Sequence, residues 1–151
     1  MGDRAVITTN TNLKEIGIYL HWNGGRDCIE AFLAYCKLKG YRPPEQDCYG
    51  WAYLAGVITN FFGTGFSCGI DTAEKLDCNN YDNGTYIIKD WLIVERMFAS
   101  CVSDDYGLYN MLRAIDKCMP EHMKLSEEEW SRYNDVEKEV MQARANVVYH
   151  N

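Results

Sequence analysis

The segment Tyr19-Leu20-His21-Trp22-Asn23-Gly24-Gly25-Arg26-Asp27 constrains the fold of this 151-residue chain more than any other. Before it, Ile16, Ile18, Leu20 and Trp22 alternate with Gly17, Tyr19 and His21, the period of a half-buried strand. After it, Ile29, Phe32, Leu33 and Cys36 recur at helical spacing, which predicts a helix running to about Lys39 and stopping at Gly40. A strand must therefore end, turn sharply and become a helix, with Asp27 as the expected N-cap. Arg4 to Thr9 is also β-rich. The turn formers from Thr8 to Asn12 put it beside the next strand, antiparallel.

Beyond Pro43-Pro44, Asp47 is placed to cap a second helix with the stripe Trp51, Leu54, Ala55, Ile58, Phe61 and Phe62, ended by Gly63 and Gly65. A short strand at Phe66 to Ile70 and a dense run of turn formers from Asp77 to Gly84 follow. Thr85 to Lys89 and Trp91 to Met97 pattern as a hairpin turning near Lys89-Asp90. A third helix aligns Leu108, Met111, Leu112, Ile115 and Met119 and ends at Pro120. Ser126 and Glu129 form a capping box that opens a long last helix to about Val148. Its seam of Tyr133, Val136, Val140, Ala143 and Val147 serves either packing on its own domain or contact with a second copy. The expectation is α+β: a single domain over residues 1–151, an antiparallel sheet covered by helices, with a long C-terminal helix.

Charge narrows the partners. With 15 Lys+Arg against 22 Asp+Glu the net charge is −7, so the overall field repels duplex nucleic acid and anionic membrane. Cys48 to Ile70 holds no charged residue, but its glycines and polar side chains suit a buried helix better than a membrane span. Seven scattered cysteines, an odd number without a C-x-x-C pair, read as reduced thiols of a cytoplasmic protein, and nothing at the N-terminus reads as a targeting peptide.

Candidate chemistry concentrates at the strand-to-helix turn. Free N–H groups at a helix N-terminus attract anions, and Gly24 and Gly25 remove the side chains that would block approach. Arg26 adds a planar donor for phosphate, Trp22 a stacking face, and Asn23 a hydrogen-bonding edge for base or ribose. A tight turn with Trp22 in the core explains the same residues, so both readings stand at this point. Asn83, in the Asp82-Asn83-Gly84-Thr85 turn, offers a second polar edge, and Phe62 or Phe61 a second stacking wall. Arg96 and Arg113 are candidates to complete an anion pocket. No Cys–His pair, acid/base pair or zinc-ligand spacing stands out, which favours binding over catalysis, with no metal and no cofactor expected.

Gly2-Asp3-Arg4-Ala5-Val6-Ile7-Thr8, Ile18-Tyr19-Leu20-His21-Trp22-Asn23-Gly24-Gly25-Arg26 and Asp82-Asn83-Gly84-Thr85-Tyr86-Ile87-Ile88 together resemble small proteins from phages and prophages of Gram-positive bacteria. Within that group the chain resembles the Thoeris anti-defence sponges. The resemblance covers Gly2 to about Phe98. It implies a phage-encoded, non-enzymatic protein of the host cytoplasm that binds a cyclic ADP-ribose signal made by TIR-domain proteins and does not cleave it. It also implies a homodimer or larger homo-oligomer, some members binding cyclic oligonucleotides at separate sites. On the physical argument, Gly24, Gly25 and Arg26 would hold pyrophosphate, Asn23 and Asn83 the ribose or base edges, Trp22 or Phe62 a base face, and Arg113 a second phosphate. The alternative is an acidic protein-interaction inhibitor that uses Asp104-Asp105 or Glu127 to Glu129 to occupy a basic channel of a host nucleic-acid-binding protein.

Overall fold

The period-two segments pair into one sheet. The computed structural model describes residues 2–63, 67–100 and 102–150; Gly65 and Phe66, named above, and Cys101, one of the seven cysteines, lie outside the described residues. Strands β1 (Ala5–Thr8), β2 (Ile16–Leu20), β3 (Cys68–Thr72), β4 (Thr85–Lys89), β5 (Leu92–Met97) and β6 (Val148–His150) lie in the order β3-β2-β1-β4-β5-β6. Neighbours joined by turns or loops, β1/β2 and β4/β5, are antiparallel, as is β2/β3. The pairs β1/β4 and β5/β6 are parallel, so the mainly antiparallel sheet is mixed. Helical connections between β1 and β4 supply the crossover that a parallel pair requires.

The β4/β5 hairpin turns at Asp90 and Trp91, both with positive φ (52° and 62°), the handedness that matches strand twist. Trp91 is an unusual residue for that conformation. Its ring is buried, and Nε1 donates to the Tyr41 carbonyl at 2.7 Å, so tertiary packing offsets the local strain.

Helix α1 (Arg26–Leu38) runs through the centre of the molecule. One face of the sheet, carrying Ala5, Ile7, Ile18, Leu20, Tyr86, Ile88 and Ile93, packs in the same core as Ile29, Phe32, Leu33 and Cys36. Helices α2 (Cys48–Phe62) and α3 (Leu108–Cys118) close over α1, which also buries Ala31, Ala34 and Tyr35. Asp47 caps α2 by accepting the Tyr49 N–H, and Gly63 ends it at φ 91°. On the other face of the sheet, the missing Cβ of Gly17 leaves room for Ala73, whose Cβ lies 3.2 Å from that position.

The Ser126–Glu129 capping box forms, but the helix it opens does not run on to Val148. Helix α4 (Glu127–Trp130) ends after one turn and α5 (Tyr133–Asn146) begins anew. Arg132 sits between them at φ −90°, ψ 0°, and its Nη2 donates to the Leu38 carbonyl at 2.9 Å. Val147 is extended, which lets Val148–His150 join the sheet beside β5. Tyr133, Val136 and Val140 are buried in the chain's own core, so the seam serves packing within the domain. Among the described residues no helix is long and apolar enough to cross a membrane, and Cys28, Cys36, Cys48, Cys78 and Cys118 are free thiols.

Candidate functional site

The turn between β2 and α1 forms where the sequence places it, but the chain's own atoms fill it. Gly25, not Asp27, occupies the N-cap position, at φ −64° and ψ 160°. The Gly24 N–H donates to the Asp3 carbonyl at 2.9 Å, and the Tyr86 hydroxyl donates to the Gly24 carbonyl at 2.7 Å. A Cβ on Gly24 would lie 2.4 Å from the Asp3 oxygen. The Arg26 N–H donates to the Ser103 carbonyl at 3.0 Å, and the Asp105 carboxylate lies 3.0 Å from where a Gly25 Cβ would be. The glycines thus admit the chain itself, leaving no open cradle for pyrophosphate.

Asp27 has a different role from the expected cap. Its fully buried carboxylate accepts the N–H groups of Tyr106 at 2.6 Å and Gly107 at 2.7 Å on one oxygen, and that of Cys28 at 2.8 Å on the other. It ties the segment before α3 to the start of α1. Asp27→Asn is expected to lose about 2 kcal/mol in urea unfolding, because charge-assisted bonds to buried N–H groups weaken and an amide nitrogen must face donors. Amide exchange at Tyr106 and Gly107 should rise with it; unchanged protection there would overturn this role.

The other expected residues do not converge. Trp22 is half-exposed, edge-on to His21 at 5.0 Å, and Asn23 (φ 58°) points its amide toward the Cys28 sulfur at 3.9 Å. Asn83 is buried, its amide donating to Asp3 Oδ1 at 2.6 Å and to the Arg4 carbonyl at 3.1 Å. Phe62 packs against Phe32 and Phe61 at the end of α2. Arg113 is exposed on α3, bonded to the Tyr109 hydroxyl at 3.1 Å.

A different set of cations does converge, between α1, β5 and α5. Arg26, Arg96 and Arg144 line one narrow hollow of about 10 Å³ with Glu30, walled by apolar residues such as Leu33, Ile93 and Val140. An open groove of about 310 Å³ adjoins it, sharing Leu92, Ile93 and Ala143 and adding Glu139, Gln142 and Asn146. Arg26 grips Asp104 through two bonds of 3.0 and 2.7 Å, which holds the Asp104 carboxyl below its ordinary pKa. Arg144 grips the buried Glu30 at 2.8 and 2.6 Å, yet burial outweighs that pull and the Glu30 carboxyl stays above its ordinary value. Arg96, only 1% exposed, lies 4.3 Å from the centre of the Tyr86 ring and donates through Nη2 to the Asn83 carbonyl at 2.8 Å. Among the described residues its Nε and Nη1 have no partner. Three guanidinium groups therefore meet at the hollow, Arg26 and Arg144 paired with Asp104 and Glu30 and Arg96 with no carboxylate partner among the described residues, inside a chain of net charge −7.

No family model, characterised protein or solved structure matches this chain. What the site can do therefore rests on its own chemistry. Burial pushes the Cys28 and Cys36 thiols upward, away from nucleophilic thiolate. Ligand atoms of Asp27, Cys28 and Asp105 lie within 4.8 Å of one another, but Asp27 is already committed to three N–H groups and burial raises the Asp105 carboxyl. The hollow, by contrast, offers N–H donors without acceptors. Sequence reasoning named Arg26 and Arg96 but missed Glu30 and Arg144. The available signal was a charge beside each apolar stripe, Glu30 next to Ile29 and Arg144 next to Ala143.

Proposed function

We propose that this protein is a phage-encoded sponge that binds and sequesters a cyclic ADP-ribose signal of the glycocyclic type, without degrading it. The observation that carries the reading is the gathering of Arg26, Arg96 and Arg144 at one hollow of an otherwise acidic chain. A pyrophosphate leaving water needs donors for its charged oxygens, and here they sit beside apolar walls that strengthen each contact. The adjoining groove of about 310 Å³ is at the lower end of the range for small-molecule sites, and Gln142 and Asn146 supply amide edges for base or ribose. On this reading the nucleotide lies along β5 and α5, and the protein acts in the host cytoplasm as a homodimer or larger assembly. The acidic-inhibitor alternative loses Asp104, which Arg26 engages.

Calorimetry of the purified protein against cyclic ADP-ribose isomers tests the reading, followed by heat release and mass spectrometry of the ligand. Tight binding with the ligand recovered intact is the expected result. A chemically altered ligand would make the protein an enzyme, and absence of binding would remove the reading.

A further inference from the structure

Among the described residues no ion pair neutralises the buried Arg96. A buried guanidinium needs an acceptor for its N–H groups and a counter-charge, or desolvation dominates. The Asn83 carbonyl and the Tyr86 ring meet part of that need, while Nε and Nη1 remain without a partner. Glu30, the one carboxylate lining the hollow, gives both its oxygens to Arg144.

We infer that Arg96 anchors a buried anion site that takes one compact anion: a halide ion, or a single oxygen of a phosphoryl group reaching in from the groove. It draws on the same hollow as the sequestration reading without depending on it. Size sets the class of ligand. About 10 Å³ is room for one water-sized group, so a whole nucleotide is excluded from the inner hollow. Charge selects an anion over water. Water would accept a hydrogen bond and leave the guanidinium unneutralised, whereas an anion does both. Arg26 and Arg144 are paired with Asp104 and Glu30, so the uncompensated charge is that of Arg96, and Ile93 and Val140 keep its surroundings apolar, where that charge is least screened.

The test is thermal unfolding of the full chain in sodium chloride against sodium gluconate at constant ionic strength, with Arg96→Met alongside. The midpoint is expected to rise by about 3–6 °C per tenfold increase in chloride above its dissociation constant, and the variant to show no such slope. Where Arg96→Met does not fold, crystals of the wild-type chain in sodium bromide decide. An anomalous bromide peak within hydrogen-bond distance of Nε or Nη1 supports the site, and a water there overturns the halide form. Cyclic ADP-ribose separates the two sources. A chloride response without nucleotide binding keeps the anion site and removes the sequestration reading. Nucleotide binding that Arg96→Lys weakens at least tenfold, and that chloride competes with, assigns the place to a phosphoryl oxygen. No halide response together with nucleotide binding indifferent to Arg96→Lys overturns the inference.

Discussion

Gly24→Ala is expected to cost about 3 kcal/mol of stability, or to prevent folding, before any ligand is considered. The new Cβ would sit 2.4 Å from the Asp3 carbonyl oxygen and 2.8 Å from the Ala5 Cβ. Neither neighbour can give way. The Asp3 N–H donates to the His21 carbonyl at 2.9 Å, and Ala5 is held in register opposite Leu20 inside the sheet. Gly25→Ala is the internal control, because its nearest neighbour, at 3.0 Å, is the tip of the Asp105 side chain, which can swing aside. That change should cost less than about 1 kcal/mol. Urea unfolding of both variants measures the difference. A Gly24→Ala protein with the wild-type midpoint would overturn the packing role and return the turn to the role of an anion cradle.

The contrast between those two glycines shows how far the sequence speaks for itself. Local signals were legible: the Asp47 cap, the Gly40 and Gly63 stops, the β4/β5 hairpin and the Ser126–Glu129 box all depend on residues within a few positions of one another. The antiparallel β1/β2 pair was legible too, but its register and the longer-range contacts were not. That Gly24 faces Asp3 rather than a ligand depends on that register, which no spacing announces. The α4/α5 break depends on Leu38, far back in the chain, presenting its carbonyl to Arg132. The same limit applies to the site. Trp22 to Arg26 form a conspicuous string, and only Arg26 among them reaches the cationic hollow. Glu30 and Arg144 are 114 residues apart, and each alone reads as a solvated helix charge. Arg96 was visible only as a cation able to complete an anion pocket, as Arg113 was. Its burial and idle nitrogens required the fold.

The Glu30–Arg144 pair yields the other large effect, and it carries a pH signature. Arg144→Met should destabilise the ligand-free protein by about 3 kcal/mol at neutral pH, since removing one partner strands a buried carboxylate. Burial already raises the Glu30 carboxyl above its ordinary 4.5, and Arg144 is the main influence pulling it down. Without Arg144 the folded-state value climbs further. A carboxyl with a raised folded-state pKa binds its proton more tightly in the folded protein than in the unfolded one. The stability tied to that proton is fully present below the unfolded value and is lost as pH rises through the folded value. The gap between wild type and variant should therefore be widest at neutral pH and narrow as acid protonates Glu30. Adding Glu30→Gln to Arg144→Met removes the stranded charge and should recover most of the loss at neutral pH. Denaturant unfolding of the single and double variants between pH 4 and pH 8 tests both expectations. A gap that stays constant with pH, or a double variant no more stable than Arg144→Met, would show that Arg144 stabilises the fold by packing its side chain between α1 and β5 rather than by holding the Glu30 charge.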